Sequence, residues 1–232
     1  MDMIQRRIWN ENHKKMKEII CKPDKHSKAV QLFLTQHSLV HSSSISTTNQ
    51  TTLEDSLLSN LKEAIFREYP VSNPDTKNSI AWHLWHITRI EDMTTNILIA
   101  NEQQVLDTSQ YSDSMSIPFK HSGNDMSEEE IALLSSNIDF ESLLTYRRAV
   151  GIRTREIVSS LTPGDFNLDI DQNKIQRLFK ENAVMEKSKW LADYWSKKNI
   201  AGLLLMPATR HNFLHLNKSV RIKEKLLKRR EG

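Results

Sequence analysis

The stretch "RHNFLHLN", residues 210–217, sets His211 and His215 four positions apart among apolar neighbours. On an α-helix that spacing stacks two side chains on one face, with Cβ atoms about 6 Å apart. Two imidazoles so placed can converge on one ion, provided a third ligand comes from elsewhere in the chain. The sequence has nine histidines, and His83 and His86 in "AWHLWHITRIED" are the informative ones, since they occupy its most apolar helical stretch beside Trp82 and Trp85. A buried imidazole needs a partner, and either a metal or a backbone hydrogen bond meets that need. His13, His26, His37 and His41 near the N-terminus, and His121 in a long irregular stretch, fall where solvent is expected.

Three neutral imidazoles bind zinc or another first-row divalent ion at about 2.0–2.1 Å and leave a fourth position for water or substrate. A zinc protease requires H-E-x-x-H, with the Glu as general base, and Asn212 stands where that Glu belongs. Neither a G-x-S-x-G elbow nor a P-loop occurs, and Cys21, the sole cysteine, lies near an N-terminal extension. Serine and cysteine nucleophilic chemistry therefore lack their usual parts. Two readings stand at this point: an open metal centre working on a small-molecule substrate, or core histidines hydrogen-bonded to backbone.

The elements that must position these residues read as helices. Five Gly and six Pro among 232 residues leave few tight turns, which favours an all-α chain. Residues 1–22 form a polar, helix-prone appendage closed off by Pro23, and residues 23–232 form one helix-bundle domain. Within it, Thr51 with Glu54 suggests a capping box that opens a helix carrying Leu57, Leu58, Leu61 and Ile65 toward Pro70. A central helix is expected from about Asn78 to Asn101, apolar on more than one face. Residues 102–126 read as a lid or binding loop, and Ser127 with Glu130 announces the next helix, which continues long and amphipathic to a stop before Pro163. A short segment over about 172–181 precedes the final helix, where Pro207 should kink the chain one turn before His211. Four long tracts with shorter helices around them make a four-helix bundle the natural architecture.

Composition narrows the function. The net charge of +3, from 32 basic and 29 acidic side chains, supplies no field of the kind that drives nucleic-acid binding. The basic tail "NKSVRIKEKLLKRREG" is explained by solvation and the helix dipole. The longest apolar run, "IAGLLLM", is far short of the roughly 20 residues of a membrane span. One cysteine excludes an internal disulfide framework, the opening residues lack the charged-then-apolar order of a secretory signal, and a cytoplasmic location is the expectation.

"NSIAWHLWHITRIED", followed far downstream by "LLLMPATRHNFLHLN", resembles the DinB/YfiT-like superfamily of four-helix bundles, over residues 27 to 222. The resemblance implies one metal-ligating His on the second bundle helix and an H-x-x-x-H pair on the fourth. Carried onto this chain, the ligands are His86, His211 and His215. His83 is the runner-up, because only the second His of "WHLWH" sits seven residues after Ser79, as in the family pattern. The resemblance further implies a divalent metal, zinc or nickel, and a thiol-dependent S-transferase or a related hydrolase that borrows a low-molecular-weight thiol such as bacillithiol or mycothiol. In that reading the metal holds the thiolate for attack on a small electrophile. It also implies a homodimer. The competing reading is a non-enzymatic bundle that binds or senses a metal or small ligand through the same histidines. Arg89, three residues after His86, can hold a substrate carboxylate, and Asp92 and Asn217 are candidate acceptors behind the ligands.

Overall fold

The computed structural model describes residues 3–46, 50–108 and 111–231. Helices α1 (Met3–Ile19), α2 (His26–Ser38), α3 (Leu53–Leu58) and α4 (Glu63–Phe66) lead to α5 (Ile80–Asp92), which runs on as a π-helical stretch, Met93–Ala100. Short helices α6 (Val105–Thr108) and α7 (Tyr111–Ser114) precede α8 (Glu128–Asn137) and the long α9 (Phe140–Ser160). Then come α10 (Gln172–Lys180), α11 (Lys189–Trp195) and α12 (Ile200–Leu205), a second π-helical stretch (Met206–His211) and α13 (Asn212–Glu231). Among the described residues there is no strand beyond two isolated bridges, and no helix is long and apolar enough to cross a membrane.

The expected all-α bundle is present. Helix α5 packs against α9 and α13, and α2 packs against α9 and the second π-helical stretch. Every side chain of α5 is buried, as its apolar surround predicts, and Ser79 caps it by accepting from Trp82 N at 3.0 Å. The stretch read as an appendage lies on the bundle. Trp9, Met16 and Ile20 of α1 are buried, and the Trp9 ring stacks on Phe213 with centroids 3.9 Å apart.

Local expectations fared unevenly. The Ser127–Glu130 capping box forms as read. The earlier box forms one residue later, between Thr52 and Asp55, because Glu54 turns inward to meet Arg147 Nε at 2.6 Å. The single helix expected toward Pro70 is instead α3 and α4, parted near Asn60, whose φ of 55° is a left-handed conformation that Asn tolerates. The helix announced by Ser127 ends at Asn137, and Asp139 caps α9 afresh by accepting from Ser142 N at 2.8 Å.

Pro207 acts through a change of winding. Its missing amide cannot close an α-turn, and the chain adopts the wider π turn over Met206–His211. Side chains take up the freed carbonyls: Thr209 Oγ1 lies 2.9 Å from both Leu204 O and Leu205 O, His13 Nε2 donates to Leu205 O at 2.9 Å, and Asn212 Nδ2 donates to Pro207 O at 3.1 Å.

Candidate metal centre

Helix α5 supplies His86, while the second π-helical stretch and the first turn of α13 supply His211 and His215. One ring nitrogen of each lies within 4.8 Å of one nitrogen of the others, an arrangement that could hold a metal ion. His86 Nε2 and His211 Nε2 are 3.2 Å apart. Two nitrogens on a tetrahedral ion with bonds of about 2.0–2.1 Å would be separated by roughly 3.3–3.4 Å, so the pair needs little adjustment.

Tautomers follow from the partners. His86 Nδ1 donates to Ser122 O at 2.6 Å, which leaves Nε2 of the neutral ring with a free lone pair facing His211. His215 Nδ1 lies 2.8 Å from His83 Nδ1, and one of the two carries the shared proton. That contact leaves His215 Nε2 as its available ligand atom. His83 Nε2 meets Thr76 Oγ1 at 3.2 Å, so His83 stands behind His215 and orients it. The Trp82 ring stacks on His86, centroids 4.5 Å apart and planes within 12°.

The electrostatics suit a metal ligand, which must be a neutral imidazole. Burial pushes His83 down to about 3, with the charge of His86 adding to the fall, and pushes His86 down to about 4 against the pull of the Ser122 carbonyl. His211 and His215 are held well below the ordinary range by burial first and by neighbouring imidazoles second.

A cavity of about 230 Å³ opens on His86 and His211, walled by Ile90, Trp190, Tyr194, Trp195 and Pro207. Among the described residues, no Asp, Glu, Lys or Arg lines it. Trp190 and Tyr194 are partly exposed at its rim, and Trp190 Nε1 donates to Asp125 Oδ2 at 2.9 Å.

The remaining sequence candidates lie elsewhere. Arg89 is fully buried and committed: Nε donates to Lys120 O at 2.8 Å, and its terminal nitrogens reach Asp92, Tyr146 and Gln104. Four of its five N–H donors are so engaged, inside the protein rather than toward a substrate carboxylate. Asp92 accepts from Arg89, Tyr146, Asn96 and two backbone amides rather than from a ligand imidazole, and Asn217 bonds Phe213 O. Cys21 is exposed, with Asn199 Nδ2 4.0 Å from its sulfur. Of the five histidines assigned to solvent, three are buried and two are half-buried. His37 and His41 are 0% and 1% exposed, His121 is buried, and His13 and His26 are hydrogen-bonded to backbone carbonyls. His37 and His41 join Glu91 in a second cluster that sequence reasoning missed, although "HSLVH" repeats the spacing of the pair on the last helix.

Fold and site together define a helix bundle with a three-histidine centre in which His86 is buried and His211 and His215 are half-buried. The family model of the DinB superfamily matches residues 48–216, and the chain belongs to that superfamily. A solved structure described as a conserved protein from Enterococcus faecalis shares the fold, at 14% identity and a TM-score of 0.53, with 84% of this chain and 96% of that one covered. No curated protein matches the chain.

Proposed function

We propose that this chain is a divalent-metal-dependent enzyme that joins a low-molecular-weight thiol to a small, neutral electrophile. The observation that carries the reading is the convergence of His86, His211 and His215, the first two of which line an aromatic-walled cavity. Such an ion, zinc or nickel, would deprotonate a coordinating thiol or lower the pKa of a coordinated water to about 7. The chain's own part is to keep three imidazoles neutral, to fix His86 through Ser122 and His215 through His83, and to bind the electrophile.

The cavity restricts that electrophile. Its volume lies below the roughly 300–1,000 Å³ of pockets for drug-sized ligands, so it suits a small molecule or one arm of a larger one. The uncharged lining favours an apolar group stacked on Trp190 or Tyr194. Balanced charge favours a small-molecule partner over nucleic acid.

The test is turnover by metal-loaded protein with a panel of thiols and electrophiles. Activity should vanish on chelation or omission of the thiol, fall in His86→Ala, and survive Cys21→Ser nearly intact. Persistence in metal-free protein, or a requirement for Cys21, would overturn the mechanism. Tight metal binding with no turnover of any pair would favour a bundle that binds or senses without catalysis.

A further inference from the structure

The second cluster lies in the interior, where α2 and the turn after it meet α5. His37 Nε2 donates to Glu91 Oε1 at 2.7 Å, and His41 Nε2 donates to Oε2 at 3.0 Å. Asn212 Nδ2, from α13, donates to Oε2 at 2.8 Å. None of the three cluster side chains is more than 1% exposed.

At the centre of the cluster is a carboxylate. Burial alone would raise the Glu91 carboxyl, but His41 and His37 beside it hold it well below the ordinary carboxylate range. Burial pushes His41 down to about 3, with Glu91 opposing and Arg147 and His37 adding to the fall. Near neutral pH the carboxylate is therefore ionised beside a neutral His41. The neighbouring buried arginines are already engaged, Arg89 with Asp92 at 3.0 Å and Arg147 with Glu54 at 2.6 Å. Glu91 faces two imidazoles and an amide in a low-dielectric interior, where an uncompensated charge is costly.

We propose that His37, His41 and Glu91 form a second divalent-metal site, structural in role and separate from the three-histidine centre. One donor atom from each residue lies within 4.8 Å of the others. The nitrogen-to-oxygen separations of 2.7 and 3.0 Å run to the two different carboxylate oxygens and are hydrogen-bond distances, so the three side chains must spread slightly to reach the roughly 3.3–3.6 Å between ligands of a tetrahedral ion with bonds of about 2.0–2.2 Å. Two imidazoles and one carboxylate suit zinc and other first-row divalent ions. On binding, each Nε2 gives up its proton: a neutral ring takes it back at its own Nδ1, which in both residues is buried without a hydrogen-bond partner, and a protonated ring releases it to solvent. Asn212 Oδ1 is buried without a hydrogen-bond partner, and a half-turn of that amide presents it as a further oxygen donor. Enclosure on all sides leaves no position for substrate, which makes the site a clasp between α2 and α5 rather than a second reaction centre.

Zinc stoichiometry decides it, measured by elemental analysis on the full chain refolded in zinc and freed of excess. Wild type should hold two ions per chain, the double variant His211→Ala, His215→Ala should retain one, and adding Glu91→Gln to that variant should remove it with helical content by circular dichroism preserved. X-ray absorption of the ion retained in the double variant should show mixed nitrogen and oxygen ligation. One ion in wild type and none in the double variant would overturn this site while leaving the three-histidine centre standing. One ion in both proteins, lost with Glu91→Gln, would uphold this site and remove the other. An ion that survives Glu91→Gln lies elsewhere and overturns the assignment. Should the triple variant lose its helicity, the absorption spectrum of the double variant decides, and ligation by nitrogen alone would overturn the site.

Discussion

Asn212 Nδ2 reaches Glu91 Oε2 at 2.8 Å, while His211, one residue earlier, meets His86 at 3.2 Å. One turn of the last helix thus touches both polar clusters. Asn212 also bridges back to Pro207 O, tying the π-helical stretch to α5. A glutamate here, as a zinc protease would need, would set a second carboxylate against Glu91.

Asn212→Ala should therefore destabilise the fold by about 1.5–3 kcal/mol, the usual worth of a hydrogen bond to a charged group. Asn212→Asp should cost more at neutral pH, since it replaces a donor by a like charge. Urea denaturation of the two variants gives the order. An Asp variant as stable as the Ala variant would show that Glu91 is already neutralised.

Removing any of His86, His211 or His215 should abolish high-affinity metal binding at the centre. His83→Ala should weaken it about 10–100-fold, the usual effect of losing a residue that orients a ligand. Competition with a chromophoric chelator measures both. A His83→Ala variant as defective as His86→Ala would make His83 a ligand in its own right.

Acid should weaken the chelator-treated protein well before its carboxylates titrate. His41 and His83 in the fold gain protons only near pH 3 and His86 near pH 4, whereas unfolded imidazoles do so near 6.5. Below about pH 6.5 the unfolded chain binds more protons than the folded one, so stability falls with acidification, and each ring adds up to about 1.4 kcal/mol per pH unit. Above that pH these rings contribute no slope. The urea midpoint should drop between pH 7 and 5, and an unchanged midpoint would mean that the rings are protonated in the fold.

Gly151 sits inside α9 for want of room. A Cβ there would lie 2.7 Å from His41 Nδ1 and 2.9 Å from Ile45 Cδ1. Alanine is favoured over glycine in a helix by about 1 kcal/mol, yet overpacking costs about 1–3 kcal/mol, so Gly151→Ala should be net destabilising. A thermal melt that rises on substitution would contradict the close approach.

What could be read in advance was whatever local pattern controls. The apolar surround of α5, the Ser127 cap and the four-residue spacing of His211 and His215 are written in neighbouring residues. His37 and His41 carry the same spacing, but their burial comes from Glu91, fifty positions away from His41, and nothing near them announces it. Arg89 was misread for the same reason: its partners Tyr146 and Gln104 lie on other segments. The break at Asn60 and the inward turn of Glu54 likewise answer to Arg147 and to a backbone twist rather than to the apolar stripe.

The π-helical stretch at Met206–His211 also has a bearing on length. A π turn amounts to one residue inserted into an α-helix, so the phase of everything after it is set by that single extra position. Rewinding the stretch as α at unchanged length would turn the face of α13 by about 100° relative to α5, whereas deleting one residue together with the π turn would keep it. Pro207 thus acts as a phase setter: by holding the π winding it keeps His211 and His215 on the face that meets His86.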